Sequence, residues 1–191
     1  GGDANAEDST VTVNGDLDTT TITLDDGTNS AVTKIIFADT DTVTISGAIT
    51  AATADEGTIQ VTGANKTFSG TIGGTRIGTL DIDETSTYTG AVTVDNLNIA
   101  ASKTATFSDA VTANITNSGT LLFDTSADKS VTGTIAEAAG GDTTEIKVID
   151  SANGAPATVT FTGTIAADTL TVGTTSKAGA ALYEDDVTVP T

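Results

Sequence analysis

The side chains in this sequence that could do chemistry are carboxylates, and they come in short clusters. Asp25/Asp26, Asp39/Asp41 and Asp81/Asp83/Glu84 are the densest, with Asp16/Asp18 and Glu184/Asp185/Asp186 beside them. Calcium takes about six to eight oxygen ligands, which loop carboxylates and backbone carbonyls can supply. Asp25, Asp26, Asp39, Asp41, Asp81, Asp83 and Glu84 are therefore the candidate calcium ligands, and calcium is the one cofactor this composition suits. Neither an EF-hand loop nor a Gly-rich calcium nonapeptide is present, so each cluster also reads as solvated surface.

Other chemistries are short of parts. His, Cys, Met and Trp are absent, and Arg76 is the only arginine. Without His or Cys the chain lacks the usual proton shuttle near neutral pH, a thiol nucleophile and ordinary zinc ligands. Arg76 near Asp81 and Asp83 is the best grouping for a polysaccharide lyase or hydrolase, but a lone Arg beside acids is ordinarily a surface ion pair. The chain is expected not to be an enzyme. A net charge of −19 argues against nucleic-acid binding, so no nucleic-acid partner is expected, and it disfavours an anionic membrane surface. No apolar run approaches the roughly 20 residues that insertion into a membrane requires.

The elements that position these residues are strands. Thr10-Val11-Thr12-Val13, Thr21-Ile22-Thr23-Leu24, Thr42-Val43-Thr44-Ile45 and Thr158-Val159-Thr160-Phe161 alternate apolar and hydroxyl side chains at period two. That is the pattern of a strand with one buried face, and Thr suits the wet face through its β-branch and hydroxyl. Helical periodicity is confined to the Ala-rich stretch from Ile135 to Ala139. The chain is all-β.

The strands repeat. A corner unit, apolar–polar–Gly–small–apolar, occurs at Ile45-Ser46-Gly47-Ala48-Ile49, Phe68-Ser69-Gly70-Thr71-Ile72 and Tyr88-Thr89-Gly90-Ala91-Val92. It returns at Phe107-Ser108-Asp109-Ala110-Val111, Val131-Thr132-Gly133-Thr134-Ile135 and Phe161-Thr162-Gly163-Thr164-Ile165. The central Gly, once Asp109, suggests left-handed backbone at a bend. A strand unit alternates with it, as in Gly57-Thr58-Ile59-Gln60-Val61, Gly78-Thr79-Leu80-Asp81-Ile82, Gly119-Thr120-Leu121-Leu122-Phe123 and Asp168-Thr169-Leu170-Thr171-Val172. A period of roughly 20 residues with tight corners predicts a parallel β-helix, or β-solenoid, with Phe68, Tyr88 and Phe107 stacked in its core. An antiparallel β-sandwich is the alternative fold. The solenoid is expected over 41–175, with a loop-like insertion near 136–156. Residues 1–40 read as a cap containing a hairpin of 20–24 with 32–37, and 176–191 as an edge strand or tail.

The run from Gly57 to Ile72, followed by Gly78-Thr79-Leu80-Asp81-Ile82 and Tyr88-Thr89-Gly90, resembles the autotransporter-associated β-strand repeat. The likeness covers 57–99 and continues more loosely to 172. It implies a right-handed β-helical passenger on a bacterial surface, a group that includes adhesins.

Composition and repeat together set the functional expectation. The protein is expected to be extracellular or cell-surface after removal of an export signal. It is expected to be structural and to form a homo-oligomer or polymer, as a surface layer or filament. The alternative is an adhesin or passenger displaying a binding surface for glycans or a host surface.

Overall fold

Alternation becomes architecture through three ladders of parallel strands. In a computed structural model describing residues 8–26, 32–138, 144–152, 156–174 and 176–189, the chain winds as a β-solenoid of about eight turns of roughly 22 residues. The first ladder stacks Ser9–Val13, Thr33–Phe37 and Glu56–Val61, and continues through the later parts of Ile72–Ile82, Val92–Ile99 and Val111–Asn117. It ends on Ile135–Glu137, Ile165–Ala166 and Val187–Thr188. The second ladder holds Val43–Ile45, Lys66–Phe68, Ser86–Tyr88, Thr104–Phe107, Thr120–Asp124, Glu145–Ile149 and Thr169–Val172. The third holds Thr21–Leu24, Ala48–Ala51, the first residues of the three long strands, then Lys129–Thr132, Thr158–Phe161 and Ala180–Tyr183.

Parallel pairing repeats the same position from coil to coil at about 4.8 Å, so each inward side chain lies on its equivalent in the next turn. Ile45, Phe68, Tyr88, Phe107 and Phe123 form one such column. The rings of Phe68 and Tyr88 lie 5.0 Å apart and nearly parallel, and those of Tyr88 and Phe107 4.9 Å apart. Phe37 meets Phe68 edge-on at 5.1 Å, and Phe123 hands the stack across the interior to Phe161 and Tyr183. Every aromatic residue of the chain belongs to this single file. Tyr88 is fully buried, and its phenol oxygen meets the Ser86 hydroxyl at 3.0 Å.

Several expectations change in detail. Residues 20–24 and 32–37 form no hairpin: Thr21–Leu24 pairs in parallel with Ala48–Ala51, while Thr33–Phe37 lies between Ser9–Val13 and Glu56–Val61. Parallel coils therefore begin at Ser9, within the segment read as a cap. Both strands alternate apolar and polar residues, a pattern that is the same for hairpin and coil, so local sequence could not choose between them. The stretch near 136–156 contains two coil strands, Ile135–Glu137 and Glu145–Ile149. Residues 139–143 and 153–155 lie outside the described residues. The Ala-rich run opens as strand, because Ile135 is held between Ile115 and Ile165.

The repeat units also slide by one face. The corners at 45–49, 68–72, 88–92 and 107–111 join the second ladder to the third, whereas 131–135 and 161–165 join the third to the first. The shift falls at Asn117. Its buried side chain accepts from Gly119 N at 3.1 Å and donates to the Glu145 carbonyl at 3.2 Å, closing a tight corner so that the second ladder resumes at Thr120. Turns accordingly range from 16 residues (Phe107 to Phe123) to 30 (Ile135 to Ile165).

Glycine at the second-to-third corner answers to crowding, not to a left-handed bend. A Cβ on Gly70 would stand 2.3 Å from the Gly47 carbonyl oxygen, and one on Gly90 2.4 Å from that of Gly70. Left-handed backbone occurs at the corner glycine Gly133, with φ of 116°, and outside the corner units at Gly73, with φ of 83°. There a Cβ would also come within 1.8 Å of the Thr93 carbonyl oxygen. Gly73→Ala should therefore cost about 2 kcal/mol or more in urea unfolding, since strain and overlap add. Gly74→Ala, whose nearest neighbour would be 3.5 Å away, should stay within about 1 kcal/mol of the parent. Equal stability of the two variants would contradict this corner geometry.

Candidate functional site

The stacked coils decide where each charged side chain falls. Arg76 does not meet Asp81 or Asp83. It forms a two-pronged ion pair with Asp55 of the preceding coil, its Nη2 lying 2.7 Å from Oδ2. Lys103 grips both oxygens of Glu84 at 2.8 Å, and Lys129 meets Asp109 at 2.7 Å. In these three pairs the acid precedes the base by about one turn (21, 19 and 20 residues), so each pair staples neighbouring coils. The hydrogen bond from Lys129 holds the Asp109 carboxyl below its ordinary value, and Arg76 does the same to Asp55. Burial raises the Tyr88 phenol well above its usual range, which keeps it protonated.

The candidate calcium ligands are dispersed. Asp25 and Asp26 follow the third-ladder strand of the first coil, where Asp26 accepts from Thr33 N at 2.7 Å and Gly57 N at 3.1 Å. Asp39 and Asp41 share a corner of the second coil, Asp39 accepting from Asp41 N at 2.9 Å. Asp81 accepts from Asn98 Nδ2 at 2.7 Å, and Asp83 accepts from Gln60 Nε2. Among the described residues no three His, Cys, Asp or Glu side chains converge.

One charged residue points inward without having been singled out from sequence. Lys66 is 2% exposed, occupying the inward column between Val43 and Ser86. Its ammonium donates to the backbone carbonyls of Asp41 and, at 3.2 Å, of Ala64. The signal was present: Lys66 lies two residues before Phe68, on the same side of the strand. Opposite it, the outer side of the second ladder is uncharged from Val43–Ile45 to Thr104–Phe107. Thr44, Thr67, Thr87 and Thr106 stand there in register.

The other distinctive surfaces are the two ends. Val11 is 58% exposed and Leu182 50%, and Val172, Val187 and Val189 are also exposed. The first four lie on the first or last strands of their ladders, and Val189 follows the last strand. Beneath Val11 an apolar hollow of about 330 Å³ opens between the first two coils, lined by Val13, Leu17, Ile22, Leu24 and Ile35.

The fold defines the chain as a three-faced parallel β-solenoid. No family model, curated protein or solved structure matches it. Among the described residues no helix is long and apolar enough to cross a membrane.

Two stability measurements check these assignments. Lys66→Met strips the Asp41 and Ala64 carbonyls of their donor, and chemical unfolding at neutral pH should show a loss of about 1–3 kcal/mol. An unchanged or raised stability would mean those carbonyls need no partner. The Asp109–Lys129 pair acts through pH: because the folded-state value of Asp109 is lowered, its contribution is complete above the ordinary Asp range. It disappears as pH falls through the folded value. Lys129→Met should remove at most about 1 kcal/mol near pH 7 and almost nothing near pH 2. A uniform loss across that range would exclude the ion pair as the cause.

Proposed function

We propose that this protein is an extracellular structural scaffold of a microbial cell, whose coils stack end to end between copies to build a filament or surface layer. The observation that carries the reading is the apolar character of the two end coils. Interior coils hide their apolar columns, whereas the ends leave Val11, Val172 and Val187 in water. The columns also continue from one end to the other: Val11 begins the column that Val187 ends, and Ile22 begins the one that Tyr183 ends.

An end coil offers a row of unpaired N–H and C=O groups, which favours addition of a further strand in the same sense. The hollow beneath Val11 suits apolar side chains from the last coil of a neighbour. Charge opposes the union. Asp8, Asp16 and Asp18 sit on the first coil and Glu184, Asp185 and Asp186 on the last, so the ends repel at low ionic strength. Assembly in this reading needs salt or a divalent cation. Placement outside the cell rests on the Thr-rich, acidic composition and on the resemblance to passenger repeats.

Light scattering and negative-stain microscopy should show elongated particles of increasing length as salt or calcium is added. Val11→Asp or Val172→Asp, at opposite ends of the stack, should hold the chain monomeric under the same conditions. A parent protein that stays monomeric from low salt to several hundred millimolar (roughly, where the Debye length shrinks to a few ångström) would remove the scaffold reading. It would leave the passenger or adhesin in its place.

A further inference from the structure

Among the described residues Asp150 is the only buried carboxylate, at 2% exposure, and half of it is unsatisfied. Its Oδ1 accepts from Ala152 N at 2.8 Å, while its Oδ2 is closed to solvent with no hydrogen-bond partner. A sealed, unpartnered carboxylate oxygen is among the costliest features a fold can carry, so it signals a missing ligand. Lys177, the nearest cation in the hydrogen-bond network, is spent on Ser151 Oγ at 2.6 Å and leaves Asp150 unserved.

Asp150 lines a depression of about 360 Å³ together with Ser108, Asp124, Thr125, Ser126 and Ser151. Three successive coils build it at one corner, where the second ladder gives way to the third. Phe107 pairs with Phe123, which sets Ser108 beside Asp124, and Asp124 pairs with Ile149, which sets Thr125 beside Asp150. The side-chain donors are all oxygens, two carboxylates and four hydroxyls, a set that suits a hard cation and not zinc or copper. Asp124 accepts from Ser151 N at 2.9 Å and Ser151 Oγ at 2.6 Å. Those contacts fix the carboxylate in place and leave lone pairs on both oxygens.

We propose that this corner is a divalent-cation site, with calcium as its ligand, in which Asp150 and Asp124 supply the charge and the Ser and Thr hydroxyls and water complete the shell. Oδ2 is closed to solvent, so the Asp150 side chain must turn toward the depression to meet the ion, which then fastens coils that already touch. These residues are separate from the acidic clusters that stand out in the sequence.

The test is calcium titration of chelator-stripped protein, followed by calorimetry and by thermal melting read from circular dichroism. One ion per chain should bind above a background of weak surface association and raise the melting temperature. Asp150→Asn and Asp124→Asn should each weaken that ion roughly tenfold or more and abolish the melting shift, because each removes a charged ligand. Asp81→Asn, on another face, should leave both unchanged. Asp124 is partly exposed, so its variant remains informative if Asp150→Asn misfolds. A parent protein with no saturable calcium heat and no melting shift would overturn the site. So would an Asp124→Asn protein that responds like the parent.

Discussion

Everything in this molecule depends on one constraint: each coil must place its strands on those of the coil before, residue over residue. Parallel pairing at about 4.8 Å leaves each inward position a single neighbour above and below, so like side chains collect in columns. The single file of aromatic rings is the strongest expression of this, since Phe68, Tyr88 and Phe107 stack nearly face to face at ring distances of 5.0 and 4.9 Å. The same constraint explains Gly47, Gly70 and Gly90, where stacked corners bring backbone to backbone and leave no space for a Cβ. It also explains why three acid–base pairs lie one turn apart in sequence.

Much of this was legible beforehand, because period-two alternation and a recurring Gly corner are local signals. Strands, parallel coils and the burial of Phe68 and Tyr88 followed from them. The assignment of faces did not, because the three faces of a coil look alike: each wants apolar–x–apolar flanked by a small residue. A slip of one face at Asn117 leaves the pattern intact, and only long-range pairing reveals it. Residues 20–24 and 32–37 failed as a hairpin for the same reason. The candidate sites show a sharper divide. Lys66 could be placed inward from its spacing to Phe68, whereas Asp150 owes its burial to the corners stacked around it, including Thr125 and Ala178. No local pattern marks that.

The charge distribution completes the picture. Seven cations face 26 acids. Four of the cations are committed to carboxylates and one, Lys66, to buried carbonyls. Little positive charge remains to face outward, so the surface is acidic except for the hydroxyl strip on the second ladder. Such self-repulsion weakens a compact state, but it is spread along a rod and screened beyond about 8–10 Å in physiological salt. The apolar columns act at contact distance, each buried Val, Ile, Leu or Phe contributing about 1.5–3 kcal/mol. Short range wins over long range here, which is why so acidic a chain can hold so thin a core.

A stack of this kind is close to one-dimensional, its stability built from coil terms and interfaces between neighbouring coils. Interior coils enjoy two interfaces and end coils one. The exposure of Val11 and Val172 marks that deficit on the surface, and a frayed end and a docked neighbour would compete for the same strands. Docking turns an end coil into an interior one, and its favourable term is the interface that each interior coil already possesses. In the proposed assembly charge would limit it, because the apolar columns would match across the join while the acidic rims would not. A scaffold organised this way would be controlled by the ionic composition of its surroundings without any change in its own conformation.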